Sequence, residues 1–172
     1  TLIGARRWMR RFADEAIRAK HGERVLDIGC GPAALLRFLP GVTYIGLDRN
    51  ESNIERAKRI YGERGHFICD DVGNFDRYAL APVDVAVAIG VIHHLDDDLA
   101  LGLLKDTARV LKPGGRLLTV DPCFHQEQSA IQRLVVSSDR GQHVRPFDRY
   151  VELCRAVFPD PSATFQRGNF PF

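Results

Sequence analysis

The apolar positions change period along the chain. Ala5, Trp8, Phe12, Ala16 and Ala19 recur at helical spacing and predict an amphipathic N-terminal helix. RVLDIG at 24–29 is a short apolar run closed by glycine, the pattern of a first strand. A short helix is expected over 32–39, with Pro32 in its first turn and Pro40 stopping it. TYIGLD at 43–48 predicts a second strand. Ser52 and Glu55 then form an S-x-x-E capping box for a helix through Tyr61, which Gly62 ends. HFICDD at 66–71 predicts a third strand. VDVAVAIG at 83–90 predicts a fourth, and its unbroken apolar run suits a central strand covered on both faces. Asp96, Asp97 and Asp98 open a helix carrying Leu101, Leu104, Ala108 and Leu111. KPGG at 112–115 reads as a turn and RLLTVD at 116–121 as a fifth strand. Further helices are expected over 128–137 and 148–158, and a sixth strand over 162–168.

Strands alternating with helices predict an α/β fold: a Rossmann-like, doubly wound, mostly parallel sheet with helices on both faces. Such sheets bind ligands at the carboxyl ends of their strands, where strand order reverses. The 172 residues suffice for one domain, with 45% apolar and 27% charged positions. A net charge of +2 gives no argument for nucleic acid or membrane. The basic first twenty residues read as a solvated helix face, with a basic cap over an acidic substrate as the alternative. Cys30, Cys69, Cys123 and Cys154 form no CxxC pair and match no metal-ligand spacing, so no metal is expected. They read as reduced, mostly buried thiols of a cytoplasmic protein. No apolar run is long enough for a membrane span and no signal peptide is visible. A start at Thr1 suggests a trimmed N-terminus.

The chemistry gathers at the strand ends. Gly29-x-Gly31-x-Ala33-Ala34 fits both a loose dinucleotide fingerprint and a glycine turn for another ligand. Asp27 separates the two. A pyrophosphate wants N–H groups and a helix dipole, and a nearby carboxylate repels it. A ligand with an ammonium or sulfonium group is attracted instead. The alternative for Asp27 is a local bond to loop N–H groups. Asp48, ending the second strand, suits ribose hydroxyls or a helix cap. Asp71 with Val72, ending the third, suits an exocyclic adenine amine or a solvated loop. A cation, a ribose and an amino-bearing base together describe S-adenosylmethionine.

VLDIGCGPA, YIGLDRN, FICDDV, VDVAVAIGVIHHLDD and LLKPGGRLLTVDP occur in one order across about residues 23–122. In them the chain resembles the class I S-adenosylmethionine-dependent methyltransferases, the small-molecule branch with a GVIHHL-type fourth motif. The resemblance implies that S-adenosylmethionine is the cofactor and S-adenosylhomocysteine the product. It places Asp27, Gly29 and Gly31 around the methionine part, Asp48 on the ribose, Asp71 and Val72 at the adenine, and Ile89 beside the methionine part, with Cys30 and Arg49 also among the cofactor-binding positions. Ala33 stands where many members have a third glycine. The family fold ends in an antiparallel hairpin whose last strand is missing here. A trimmed chain, or a sheet edge filled by a partner or second copy, would account for that.

The resemblance divides one domain into a cap helix (1–22), a cofactor core (23–122), an acceptor segment (123–150) and a C-terminal helix and strand (151–172). His94, and after it His93, are the candidate catalytic bases, with a packing role as the alternative. His125, Arg140, His143 and Arg145 are candidate contacts for a small-molecule acceptor, the two arginines as clamps for a carboxylate or phosphate. IGVIHH in place of an NPPY-type motif argues against nucleic acid as substrate. An NAD(P)-dependent reductase and a non-catalytic cofactor-binding domain are the other readings.

Overall fold

The computed structural model describes residues 2–125, 128 and 142–165. Strands β1 (Arg24–Ile28), β2 (Thr43–Asp48), β3 (Gly65–Cys69), β4 (Val83–Ile89) and β5 (Leu111–Val120) form one sheet in the order β3-β2-β1-β4-β5. Every pairing in it is parallel. Strand order reverses between β1 and β4, so the crevice for a ligand opens beyond their carboxyl ends.

Successive residues of a strand point to opposite faces, and here both faces are covered. Val25, Tyr44, Phe67, Val85 and Val87 pack on one side with Ile17, Leu36 and Ile54. Leu26, Ile28, Ile45, Leu47, Ile68, Ala86 and Ala88 pack on the other with Leu103. That is why the strands read as unbroken apolar runs. Around the sheet stand helices α1 (Leu2–Phe12), α2 (Glu51–Tyr61), α3 (Asp97–Val110) and α4 (Phe147–Arg155). Asp96 caps α3, accepting from the Leu99 N–H at 2.9 Å. A two-residue parallel pair, β6 (Cys123–Phe124) with β7 (Arg145–Pro146), lies apart from the main sheet.

Several boundaries differ from expectation, each for a local reason. α1 passes into a π-turn, Ala13–Ile17, closed by Arg18 N–H to Ala13 carbonyl at 2.8 Å. The wider turn rotates the inner face by one position. Ala13 and Ile17 are therefore buried and Ala16 is exposed. Over 32–39 there is only a 3-10 turn, Ala34–Phe38, because Ala33 sits in the left-handed region at φ 55°. The cap of α2 is Asn50, whose side chain accepts from Ser52 N–H at 3.0 Å, so Ser52 lies inside the first turn. KPGG does not precede β5 but bulges within it, since Val83 faces Leu111 and Val85 faces Arg116. α4 starts and stops earlier than predicted. Residues 162–165 form no strand. The rest of the expected sixth strand, and all but the first residue of the 128–137 helix, lie outside the described residues.

Gly29 and Gly31 both have positive φ, 69° and 53°. A Cβ on Gly29 would meet Val91 Cγ2 at 2.5 Å, whereas one on Gly31 would meet nothing within 4 Å. Either alanine strains the backbone by about 1–2 kcal/mol. Only Gly29→Ala must also push Val91 away from the junction of β1 and β4, an overpacking cost of about 1–3 kcal/mol. Chemical denaturation should therefore show Gly29→Ala losing clearly more stability than Gly31→Ala. Equal losses would remove the close approach as the reason for Gly29.

Candidate active site

The turn after β1 is stitched to the end of β2. The N–H groups of Gly29 and Cys30 both donate to the Leu47 carbonyl, at 2.8 and 2.9 Å. Gly31 N–H donates to Asp48 Oδ2 at 2.7 Å, and Ala33 N–H to the Cys30 carbonyl at 2.9 Å. A pyrophosphate cradle needs such donors free and a helix N-terminus behind them. Here the donors are engaged, and a 3-10 turn follows. Cys30 turns its side chain under the loop, with Sγ 3.3 Å from the Gly31 carbonyl, and burial pushes the thiol pKa up. A Cβ on Gly46 would lie 2.8 Å from that sulfur. The Cys30 sulfur is thus packed beneath the turn.

The three acids behave differently. Asp27 is 3% exposed, and Tyr44 Oη donates to its Oδ2 at 2.5 Å. Burial pushes its pKa up to about 7; the Tyr44 bond works against the shift and the Asp48 charge adds to it. Asp48 is half-buried and accepts from Gly31 N–H, from Asn50 N–H at 2.8 Å and from Asn53 Nδ2 at 3.3 Å. The carboxylate that ends β2 thus also holds Asn50, the cap of α2, through that residue's N–H. A carboxylate has about four acceptor positions, so one on Asp48 Oδ2 is left open. Asp70 is taken up locally by Tyr78 Oη at 2.6 Å, Asn74 Nδ2 at 3.0 Å and Asp71 N–H at 2.7 Å, which holds its carboxyl below the usual range. Asp71 is exposed and caps the next turn through Gly73 N–H at 2.9 Å. Val72 packs on one core layer and Ile89 on the other. Arg49 is exposed, its carbonyl 3.8 Å from Cys69 Sγ.

Across the crevice, His93 is 4% exposed. Its backbone N–H and its ring Nδ1 both meet Asp121 Oδ1, at 3.1 and 2.8 Å, and its carbonyl accepts from His143 N–H at 2.9 Å. His94 is exposed, its ring centroid 4.1 Å from that of His93. Asp121, not singled out from the sequence, directly follows β5, and that place at a strand's carboxyl end was its one available signal. Its Oδ2 is buried and has no hydrogen-bond partner among the described residues.

Arg145 is buried, and its guanidinium is taken up within the protein. It donates to Asp97 Oδ1 at 2.7 Å and to the carbonyls of Ile92, His143 and Leu95 at 3.1, 2.9 and 2.6 Å. This makes Arg145 a strut holding residues 92–97 to 143–145, in place of the acceptor clamp expected of it. His125 is half-buried against Phe165, ring centroids 4.5 Å apart. Arg140 lies outside the described residues. Among those described, no three His, Cys, Asp or Glu side chains gather to hold a metal ion, and no helix is long and apolar enough to cross a membrane.

Residues 4–157 match a family described as "Methyltransferase domain". The chain belongs to this family, that of the class I S-adenosylmethionine-dependent methyltransferases. Over 131 residues this methyltransferase domain is 32% identical to O-methyltransferase resE of Aspergillus sclerotiorum, covering 72% of the chain and 49% of the relative. It is 36% identical over 108 residues to 27-O-demethylrifamycin SV methyltransferase of Amycolatopsis mediterranei, covering 58% and 39%. The chain thus spans half or less of the curated relatives it matches here. The fold is shared with mitomycin 7-O-methyltransferase MmcR, at TM-score 0.68, 22% identity and coverage of 87% of this chain and 46% of that one.

A buried carboxyl with a raised pKa has a measurable consequence. Between its ordinary value of 3.8 and about 7, the folded protein keeps a proton that the unfolded chain has released. Stability therefore falls as pH rises through that window. Asp27→Asn is neutral throughout, so its stability relative to the parent should grow from pH 4 to pH 7, by about 1.4 kcal/mol per unit at most. Urea midpoints at pH 4.5 and 7.5 check this, and parallel curves would mean that Asp27 does not titrate there.

Proposed function

We propose that the chain is the cofactor-binding and catalytic domain of an enzyme that moves the methyl group of S-adenosylmethionine to a small-molecule acceptor. The observation that carries this reading is the glycine turn with its N–H groups engaged, flanked by carboxylates at the ends of β1, β2 and β3. That surface suits a cationic nucleoside and offers no seat to a pyrophosphate. It therefore argues against the dinucleotide alternative. The O-methyltransferase and rifamycin methyltransferase relatives support a small-molecule acceptor.

The residues fit the cofactor without rearrangement of the turn. Asp48 keeps an acceptor position for the ribose, Asp71 stands exposed for the adenine amine, and Gly31 presents no side chain to the amino acid portion. Bound S-adenosylmethionine supplies an electrophilic methyl carbon on a positively charged sulfur. The protein's part is to hold the acceptor in line with that carbon and to remove a proton from a hydroxyl as it attacks. His94, exposed in the 3-10 turn that follows β4, is the base in this reading. His93 is a positioning residue: Asp121 fixes its ring, and its own ring supports His94. The four thiols, all unpaired, suit a cytoplasmic location.

Asp48→Ala removes charge-assisted hydrogen bonds of about 1.5–3 kcal/mol, so calorimetry should show S-adenosylhomocysteine affinity falling roughly tenfold to a hundredfold. Unchanged affinity in a folded variant would refute the ribose assignment. For His94→Ala, single-turnover methyl transfer should slow by about 10²-fold or more with little change in cofactor affinity. Full activity would remove the base.

A further inference from the structure

Tyr44 occupies an unusual place. It is 1% exposed and lies on β2 opposite Val25, while Asp27 lies opposite Gly46. Tyr44, Gly46 and Asp27 therefore share one face of the sheet. Gly46 has no side chain, and a Cβ there would come within 3.0 Å of Tyr44 Cε1. The ring leans over this gap toward the glycine turn, and its hydroxyl reaches Asp27 Oδ2 at 2.5 Å. A large aromatic side chain is thus threaded through the core, against Phe67, to place one O–H on one carboxylate oxygen.

That oxygen has no ionic partner. The titratable groups facing Asp27 are Tyr44 and Asp48 from β2 and Cys30 from the turn, with Tyr61 of α2 behind Tyr44. All are neutral or anionic. Asp27 Oδ1 accepts no hydrogen bond among the described residues, and no cationic side chain of those residues bonds to either oxygen. A buried carboxylate in that situation tends to take up a proton and become a poor partner for a cation. One hydrogen bond from the protein opposes this, and it comes from Tyr44.

We propose that Tyr44 is a positioning residue of the methyl-donor site, its hydroxyl keeping Asp27 anionic and aimed so that the carboxylate takes the ligand's ammonium group. The inference rests on the methyl-donor reading above. It makes affinity for the amino acid portion of the ligand depend on pH. Binding is full where Asp27 is ionised and weakens as pH falls through the neutral range. Adenosine-type contacts, made at Asp48 and Asp71, do not share that dependence. Without the hydroxyl, ionisation of Asp27 requires a higher pH.

The test is calorimetry with two probes, S-adenosylhomocysteine and 5′-methylthioadenosine, which lacks the ammonium and carboxylate, across pH 5.5–8.5. For the wild-type chain, S-adenosylhomocysteine should bind progressively more weakly as pH falls below about 7, and methylthioadenosine should not. Tyr44→Phe should move that transition upward by about one pH unit and weaken S-adenosylhomocysteine roughly fivefold at pH 7, with methylthioadenosine unaffected. A folded Tyr44→Phe with the wild-type transition, or one that loses both probes equally, would overturn the proposal. Should Tyr44→Phe not fold, the wild-type profile and Asp27→Asn decide. A flat wild-type profile, or an Asp27→Asn variant that keeps the transition, also overturns it. If the wild-type chain binds neither probe, the methyl-donor reading itself fails and the proposal falls with it.

Discussion

The amide hydrogens of the glycine turn bond to the end of β2, and the character of the crevice follows from that arrangement. Leu47 carbonyl and Asp48 carboxylate together receive the N–H groups of Gly29, Cys30 and Gly31. The turn is fixed before any ligand arrives. Its donors are engaged, so the ligand meets carboxylates and open backbone instead. Gly29 can hold its tight place beside Val91 only without a side chain. The same bonds seat Asp48 so that one carboxylate closes the turn and still faces the crevice. A nucleoside with a positively charged tail matches this surface, and a diphosphate does not.

The opposite wall is held by a second network. Asp121 fixes His93, His93 accepts from His143, and Arg145 ties the turn after β4 to the chain before α4. A buried guanidinium is costly to desolvate unless its donors are satisfied. Here Asp97 and the carbonyls of Ile92, Leu95 and His143 satisfy them. Removing any of these partners would loosen the ground on which His94 stands. The two walls thus differ in kind: hydrogen-bonded backbone at the glycine turn, side-chain struts around His93 and Arg145.

The core sheet was legible because burial on both faces forces continuous apolar runs, and the acids were legible because they end those runs. What spacing does not encode is the direction of a side chain within a turn. Cys30 sits in the glycine motif, yet its sulfur packs downward over Gly46. Nor does residue type tell whether a donor is free: Arg145 read as a clamp and is a strut. Asp121 directly follows a strand, but nothing in the pattern tied it to a histidine 28 residues earlier. The N-terminal stripe was displaced because a π-turn breaks the 3.6-residue period without any sequence punctuation.

Crystals of the chain grown with S-adenosylhomocysteine, and others soaked in NAD(P), decide which ligand the crevice takes. The nucleoside ribose should lie on Asp48 and the amino acid portion over Gly29–Gly31, with the bonds from the turn to Leu47 and Asp48 still in place. A diphosphate seated on the N–H groups of Gly29, Cys30 and Gly31, with those bonds broken, would contradict this.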